Sequence, residues 1–395
     1  MIVQIEYFDF DVLTNLISIL TMKPDKVIFI YDKDLFKKNA IIHLYKACKT
    51  HIKNLEYEMY PVDSDILDDV CTLTEKVIAK NTSQDNTEYI IDLTGGGDLM
   101  TIGGYKVGKK LNLSMIYADI RKNQILDVDT NKIIKNTVNI NLEDYLIAKG
   151  ATLIGNSHFE PTKDNYNRLL DMSRYIFQNL DQWKKTCRYI QVSMSGNTSL
   201  TFSHAPQITF NGQSVKPDIE LMKYCQEKQF ISKLNINNNI SFQFTSELSK
   251  QYMTTYGIWL ELYVYIEACK IKDVTAIRLG AMIDWDADDG IKNVGNEIDV
   301  LLSKNSRPIF VSCKLTEPDT DAINEIIVNM RRVGGSKGKG ILVTFSNIKS
   351  SNTGTCKRAY EMGIRVLDKE DILSDDFGER LRKSVDSLLR KDSVL

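Results

Sequence analysis

Short apolar runs at 2–5, 27–30, 56–59, 89–92 and 114–117 alternate along the chain with longer stretches at 12–20, 35–50, 65–80 and 98–110. The short runs fit buried strands, and the longer stretches space their apolar residues as helices do. Strand and helix in strict alternation predict an α/β domain with a mostly parallel, doubly wound sheet. Ligands of such sheets bind beyond the carboxyl ends of the strands. That is where Asp92-Leu93-Thr94-Gly95-Gly96-Gly97-Asp98 falls, a Gly-rich turn leading into a helix whose free N–H groups favour a phosphate. The turn is neither a G-x-G-x-x-G fingerprint nor a P-loop, and a tight strand-to-helix corner would read the same way.

The pattern changes after residue 150. Apolar positions at 142–147, ending at Gly150, close the first unit, and 166–189 reads as one long amphipathic helix with Leu169, Leu170, Met172, Ile176 and Leu180 inward. A helix at 217–233 and a turn plus strand at 235–245 complete a small helix-plus-hairpin module compatible with a winged helix. Its charges are not those of a DNA reader, so a hinge or dimer spacer is the expected role. From 256 to 266 the chain is apolar nearly all round, as a buried helix requires. Strands at 296–302 and 309–314, an amphipathic run at 319–332 and a strand at 340–345 follow. The expected units are 1–150, 151–250 and 251–395.

The strands at 296–302 and 309–314 carry the most informative chemistry. Side chains in a strand repeat every two residues, so Glu297 and Asp299 share one face, as do Ser312 and Lys314. Paired as a hairpin, the two strands would bring carboxylates and an ammonium together. Carboxylate oxygens can hold Mg²⁺ or Mn²⁺, while a lysine orients water and offsets phosphate charge. Glu261, an acid in an otherwise apolar helix, is costly there unless paired or bound to a cation, which makes it a candidate third ligand.

The order helix, strands, helix, strand, with Glu261, Asp299 and Lys314 placed on it, resembles the PD-(D/E)xK nuclease superfamily over residues 251–370. That superfamily usually has an acid two residues before the lysine, and here Ser312 stands there. Either Glu297 supplies the missing oxygen or activity is weak. Asp-Leu-Thr-Gly-Gly-Gly-Asp-Leu-Met at 92–100 is similar to the Thr-Gly-Gly-Thr-Lys-x-Met signature of CARF domains, with Asp98 in the lysine's place. Together the two halves resemble the CRISPR ancillary nucleases of type III systems. The resemblance implies a homodimer that binds cyclic oligoadenylate, most often cyclic tetra-adenylate, and cuts DNA and/or RNA nonspecifically with Mn²⁺ or Mg²⁺. It would set Thr94, Gly95, Gly96, Gly97 and Asp98 against the ligand, and Asp299, Lys314, Glu297, Glu261 and Ser312 at the cutting site.

Composition agrees with this reading. A chain of 395 residues, 43% hydrophobic and 26% charged, supports two or three ordinary globular domains. Net charge is only −2, so any grip on nucleic acid is local, with Arg331, Arg332, Lys337, Lys339, Lys349, Lys357 and Arg358 as candidates. Seven scattered cysteines without a C-x-x-C pair argue against zinc, and the odd count with no long apolar run points to a reduced, cytoplasmic setting without membrane contact. Cys313 faces away from Lys314 and is expected in the core. The histidines at 43, 51, 158 and 204 form no catalytic arrangement. Two further readings remain: a sensing scaffold whose nuclease domain no longer cuts, from Ser312, and a nuclease answering another nucleotide outside CRISPR, from Asp98.

Overall fold

The computed structural model describes residues 1–9, 11–35, 38–81, 87–155, 160–286, 288, 296–334, 338–351 and 353–390. Lys337 and His158 lie outside these. The N-terminal sheet contains β1 (Ile2–Tyr7), β2 (Lys26–Asp32), β3 (Glu56–Val62), β4 (Glu88–Asp92), β5 (Ser114–Asp119), β6 (Gln124–Asp127) and β7 (Ile133–Asn136). Its order is β3-β2-β1-β4-β5-β6-β7. The first five strands in that order pair in parallel, and β6 and β7 add an antiparallel edge. Successive strands are added outward on one side from β1 to β3 and on the other from β4, so the crevice of a doubly wound fold opens beyond Tyr7 and Asp92.

Helices Val12–Met22 and Lys38–Lys49 cover one face of this sheet through Leu16, Ile19, Ile41 and Leu44, and Leu67–Asn81 and Asp98–Leu111 cover the other through Val70, Val77, Met100 and Val107. Burial on both faces explains why β2 is buried along its whole length. Helix Leu142–Ala148 packs beside Lys38–Lys49.

Next come β8 (Thr152–Gly155), β9 (Thr201–His204), β10 (Ile208–Phe210), β11 (Gln213–Val215), β12 (Ile231–Ile236), β13 (Ile240–Phe244), β14 (Val274–Asp284), β15 (Asn296–Lys304), β16 (Arg307–Lys314), β17 (Lys339–Thr344) and β18 (Ile364–Leu367). A six-stranded sheet runs β18-β17-β16-β15-β14-β8, antiparallel from β16 to β8 and parallel from β16 to β18. Between these sheets in sequence lies a small module with the sheet β12-β13-β9 and the hairpin β10-β11.

Two expectations for the module are corrected. Residues 166–189 form two helices, Tyr166–Gln178 and Leu180–Ser193, because Asn179 leaves the helical region (φ −128°, ψ 41°) and its amide donates to the Tyr175 carbonyl at 2.9 Å. A side chain that bonds its own backbone competes with the helical ladder. The helix expected at 217–233 spans only Ile219–Glu227, started by the Asp218 carboxylate, which accepts from the Leu221 N–H at 2.9 Å. It stops before Gln229, whose φ of 58° is left-handed, and the remainder becomes β12.

The apolar core on the Val12–Met22 side continues into Leu301, Phe310, Ile323, Ile326 and Leu342 of the C-terminal sheet and its helix. Polar links reinforce that contact. His43 Nε2 lies 2.6 Å from Asp288 Oδ2, Arg278 donates to Glu143 at 2.6 Å, and the Ile140 N–H donates to Ser306 Oγ at 2.8 Å. Among the described residues no helix is long and apolar enough to cross a membrane.

Candidate functional site

The hairpin expected from the sequence forms. Asn305 and Ser306 take φ of 51° and 61°, the left-handed pair that a two-residue turn needs to match strand twist. The ladder runs from Lys304 opposite Arg307 to Val300 opposite Val311. Beyond it the Asp299 carboxylate takes over: its Oδ2 accepts the Cys313 N–H at 2.6 Å and the Ser312 hydroxyl at 3.3 Å. On its other edge β16 stays paired with β17 as far as Lys314 opposite Thr344. A small cavity opens where the antiparallel ladder ends, lined by Glu297, Asp299, Ser312, Glu325 and Asn329 among others.

Glu261 arrives from the first turn of helix Ile258–Cys269, which is buried nearly all round, including Trp259, Leu260, Leu262 and Tyr263. Burial, then the charges of Asp299 and Glu297, push its carboxyl up to about 8, against a smaller pull from Lys314. Asp299 is also raised, chiefly by burial and further by Glu325, while the Cys313 N–H and Lys314 work the other way. Lys314 Nζ stands 4.0 Å from Glu325 Oε2. Cys313 lies in the core, and burial followed by the nearby acids drives its thiol well up, the opposite of what a nucleophile needs.

The fold therefore brings Glu261, Glu297, Asp299, Ser312 and Lys314 into one neighbourhood. It adds Glu325 and Asn329, which sequence reasoning missed. Their signal was faint but present: on helix Thr320–Gly334, positions 322, 325, 326 and 329 form one stripe, in which Ala322, Ile326 and Asn329 are buried. Of the two, Asn329 is buried, whereas the Glu325 side chain is 47% exposed at the stripe's edge. Among the described residues no group of three or more His, Cys, Asp or Glu side chains is gathered closely enough to hold a metal ion. By donor chemistry alone, carboxylate oxygens are the ligand type that a hard cation takes.

The Gly-rich turn joins β4 to helix Asp98–Leu111 as expected, and its packing is local. Asp92 is fully buried and accepts both the Thr94 N–H, at 2.8 Å, and the Thr94 hydroxyl, which itself accepts the Ala118 N–H at 2.7 Å. Thr94 thus stitches β4 to β5, and its hydroxyl points inward. A side chain at Gly95 would meet the Tyr7 carbonyl at 2.6 Å, and one at Gly96 would meet Tyr7 Cβ at 2.6 Å. Gly96 also has φ +80°. Both glycines answer to Tyr7 beneath them rather than to open space. Gly97 is different: nothing lies within 4 Å of a Cβ there, and it caps helix Asp98–Leu111 without a side-chain bond. Asp98 is exposed in the first turn, where a carboxylate complements the helix dipole.

Below the turn, Glu6 and Asp92 are register neighbours on β1 and β4 with no exposed surface. Glu6 accepts from Gln4 and from Asn15, each at 2.6 Å, and burial, then Asp92, holds its carboxyl well above the usual range. The basic candidates are mostly engaged: Lys349 with Asp371, Lys357 with Glu361, Arg358 with Asn324, and Arg332 over the Trp285 ring.

Residues 11–145 match the family described as Card1 CARF domain. Across nearly the whole chain the fold is similar to Can2 from Sulfobacillus thermosulfidooxidans, solved in complex with cyclic tetra-adenylate. That match has a TM-score of 0.69 and 16% identity, and covers 99% of this chain and 100% of that one. Protein VC1899 from Vibrio cholerae is similar with a TM-score of 0.74 and 15% identity, covering 98% of both chains. No curated protein matches the chain significantly. At these identities the likeness to solved structures establishes fold alone. The chain is an α/β protein whose N-terminal part is a Rossmann-like domain of the CARF type.

Proposed function

We propose that this chain is a cytoplasmic homodimeric effector of type III CRISPR defence, in which cyclic oligoadenylate at the N-terminal sheet activates metal-dependent cutting of DNA and/or RNA at the hairpin. One observation carries the cutting half: Glu261, Asp299 and Lys314 lie near enough to act on one another electrostatically where the β15–β16 ladder opens, with both acids raised by burial and by neighbouring acids. The domain units 1–150, 151–250 and 251–395 belong to the same proposal, as sensor, linker and PD-(D/E)xK nuclease.

Cyclic tetra-adenylate is the favoured ligand because Can2, similar along its whole length, was solved with it, and because residues 11–145 match a CARF family. Gly97 offers the open helix N-terminus that a phosphate would use. Ile102, Tyr105 and Tyr117, exposed by 47%, 43% and 44%, form an apolar face beside it that a second copy would cover. A four-fold repeated ring can then present equivalent halves to a two-fold axis.

At the hairpin, Asp299, with Glu297 or Glu261, would hold Mn²⁺ or Mg²⁺, which when bound supplies charge stabilisation at the phosphate and a more acidic water. Asp299 is held for that role by the Cys313 N–H. Lys314 orients the attacking water and offsets charge on the phosphoryl oxygens, and Ser312 steadies Asp299 by its hydroxyl. The test is cleavage of labelled single- and double-stranded DNA and RNA with Mn²⁺ or Mg²⁺, with and without cyclic tetra-adenylate. Ligand-dependent cutting of at least one substrate is expected. Ligand binding with no cutting of any substrate would leave a sensing scaffold, and cutting that ignores the ligand would remove the sensor.

A further inference from the structure

We infer that the exposed face of helix Thr353–Glu361 is a docking surface for single-stranded nucleic acid, with an unpaired base stacked on Tyr360 and phosphates on Lys357 and Arg358. This rests on the reading above that the chain cuts nucleic acid at the hairpin. Beside the helix lies an open hollow of about 460 Å³, lined by Lys349, Thr353, Cys356, Lys357, Tyr360 and Glu361. The Tyr360 ring in its wall is 43% exposed, and the Arg365 guanidinium carbon sits 6.0 Å from the ring centroid. A flat ring at an open hollow, flanked by cations, is what single-strand binders offer to a base. A duplex keeps its base faces stacked on one another, so only an unpaired base can use this one.

The neighbouring cations differ in how free they are to meet a phosphate. Lys349 is neutralised by Asp371. Lys357 and Glu361, the acid in the lining, stand 3.9 Å apart with side chains 79% and 60% exposed, and a pair so open to water holds too weakly to exclude a phosphate. Arg358 and Arg365 donate to neutral groups, the Asn324 amide oxygen at 3.1 Å and the Ser387 hydroxyl at 3.0 Å, and both keep their charge. At 3.6 residues per turn, Arg358, Lys357 and Tyr360 follow one another around the helix surface. A strand crossing the helix in that direction meets two cations and then the ring, passing Glu361, whose charge Lys357 offsets. Arg358 also fixes where such a strand comes from, since Asn324 adjoins Glu325, which lines the hairpin cavity. The surface thus begins beside the cutting site.

The test is fluorescence anisotropy of a labelled mixed-sequence single strand and of its duplex, titrated with the full-length chain in EDTA and cyclic tetra-adenylate so that neither is cut. Tyr360→Ala should weaken single-strand binding at least about fivefold, the smallest cost of losing one stacked base, and leave the duplex affinity unchanged. Tyr360→Phe keeps the ring and should bind like wild type. Lys357→Gln, at a side chain too exposed to affect folding, should flatten the fall of log affinity with log salt by about 0.7. Unchanged single-strand affinity in Tyr360→Ala, or an unchanged salt slope in Lys357→Gln, would overturn the surface. Wild type that still cuts where Lys314→Ala does not would, in that event, leave the nuclease reading intact. Equal losses on single strand and duplex in Tyr360→Ala would also overturn the surface, because stacking on an unpaired base cannot act on a duplex. No binding and no cutting of any strand by the wild type would overturn both.

Discussion

Replacing Glu261 with glutamine should flatten the pH dependence of stability in the metal-free protein. The Glu261 carboxyl is displaced from 4.5 to about 8, so between those values the folded chain holds a proton that the unfolded chain has released. Its favourable contribution is complete below the unfolded value and is lost as pH rises through about 8. Each unit of displacement is worth about 1.4 kcal/mol, which gives about 3 kcal/mol at neutral pH and on the order of 5 once the carboxyl ionises. Glutamine keeps the shape and has no proton to lose, so any cost of burying its amide is constant in pH. The slope is therefore the readout. Trp259, buried two residues before Glu261 and edge-on to Trp183 at 5.9 Å, reports unfolding of this region by its fluorescence. Urea transitions in EDTA from about pH 5 to about pH 9 should show wild type falling away from Glu261→Gln by a few kcal/mol. Saturating Mn²⁺ should shrink that divergence, because the cation replaces the proton. Parallel pH profiles for the two proteins in EDTA would refute the reasoning.

Other substitutions separate the roles of neighbouring residues. Asp299→Ala should abolish cutting and also cost about 1–3 kcal/mol, because the Cys313 N–H loses its acceptor; Asp299→Asn should recover most of the Tm but none of the activity. At the Gly-rich turn, Gly97→Glu should leave the Tm unchanged and abolish cyclic tetra-adenylate binding by calorimetry, since its side chain meets open space in the free protein. Gly96→Ala should instead lose about 1–3 kcal/mol or more through its positive φ and its clash with Tyr7. Calorimetry on the wild type should give one ligand per two chains, and one per chain would contradict the two-fold site. Cys313→Ala should reduce the Tm modestly and leave the cleavage rate close to wild type, as suits a core residue.

Much of this architecture was readable before any coordinates. Strand and helix alternation placed β1 to β5 and their helices nearly where they lie, because burial on both faces of a parallel sheet makes strands continuously apolar. Period two put Asp299, Ser312 and Lys314 on facing strands, and the hairpin formed as expected. What escaped depends on contacts distant in sequence. Thr152–Gly155 pairs with β14, far along the chain, and nothing in those four residues names their partner. Asn179 breaks a helix whose apolar spacing runs through it unbroken. Thr94, Gly95 and Gly96 matched a signature that does not name their packing partners, which are Asp92, Ala118 and Tyr7. Glu325 stood inside an ordinary amphipathic pattern, and only the helix docking against β16 reveals what it faces.

The most direct measurement is the cleavage rate of wild type and of Lys314→Ala, each with Mn²⁺ and with and without cyclic tetra-adenylate. Lys314 is only partly buried, with 34% of its side chain exposed, so its removal should spare the fold and the ligand affinity. Wild type should cut only when the ligand is present, and Lys314→Ala should bind the ligand equally well yet not cut. If purified Lys314→Ala cuts as fast as wild type, the hairpin is not the cutting site.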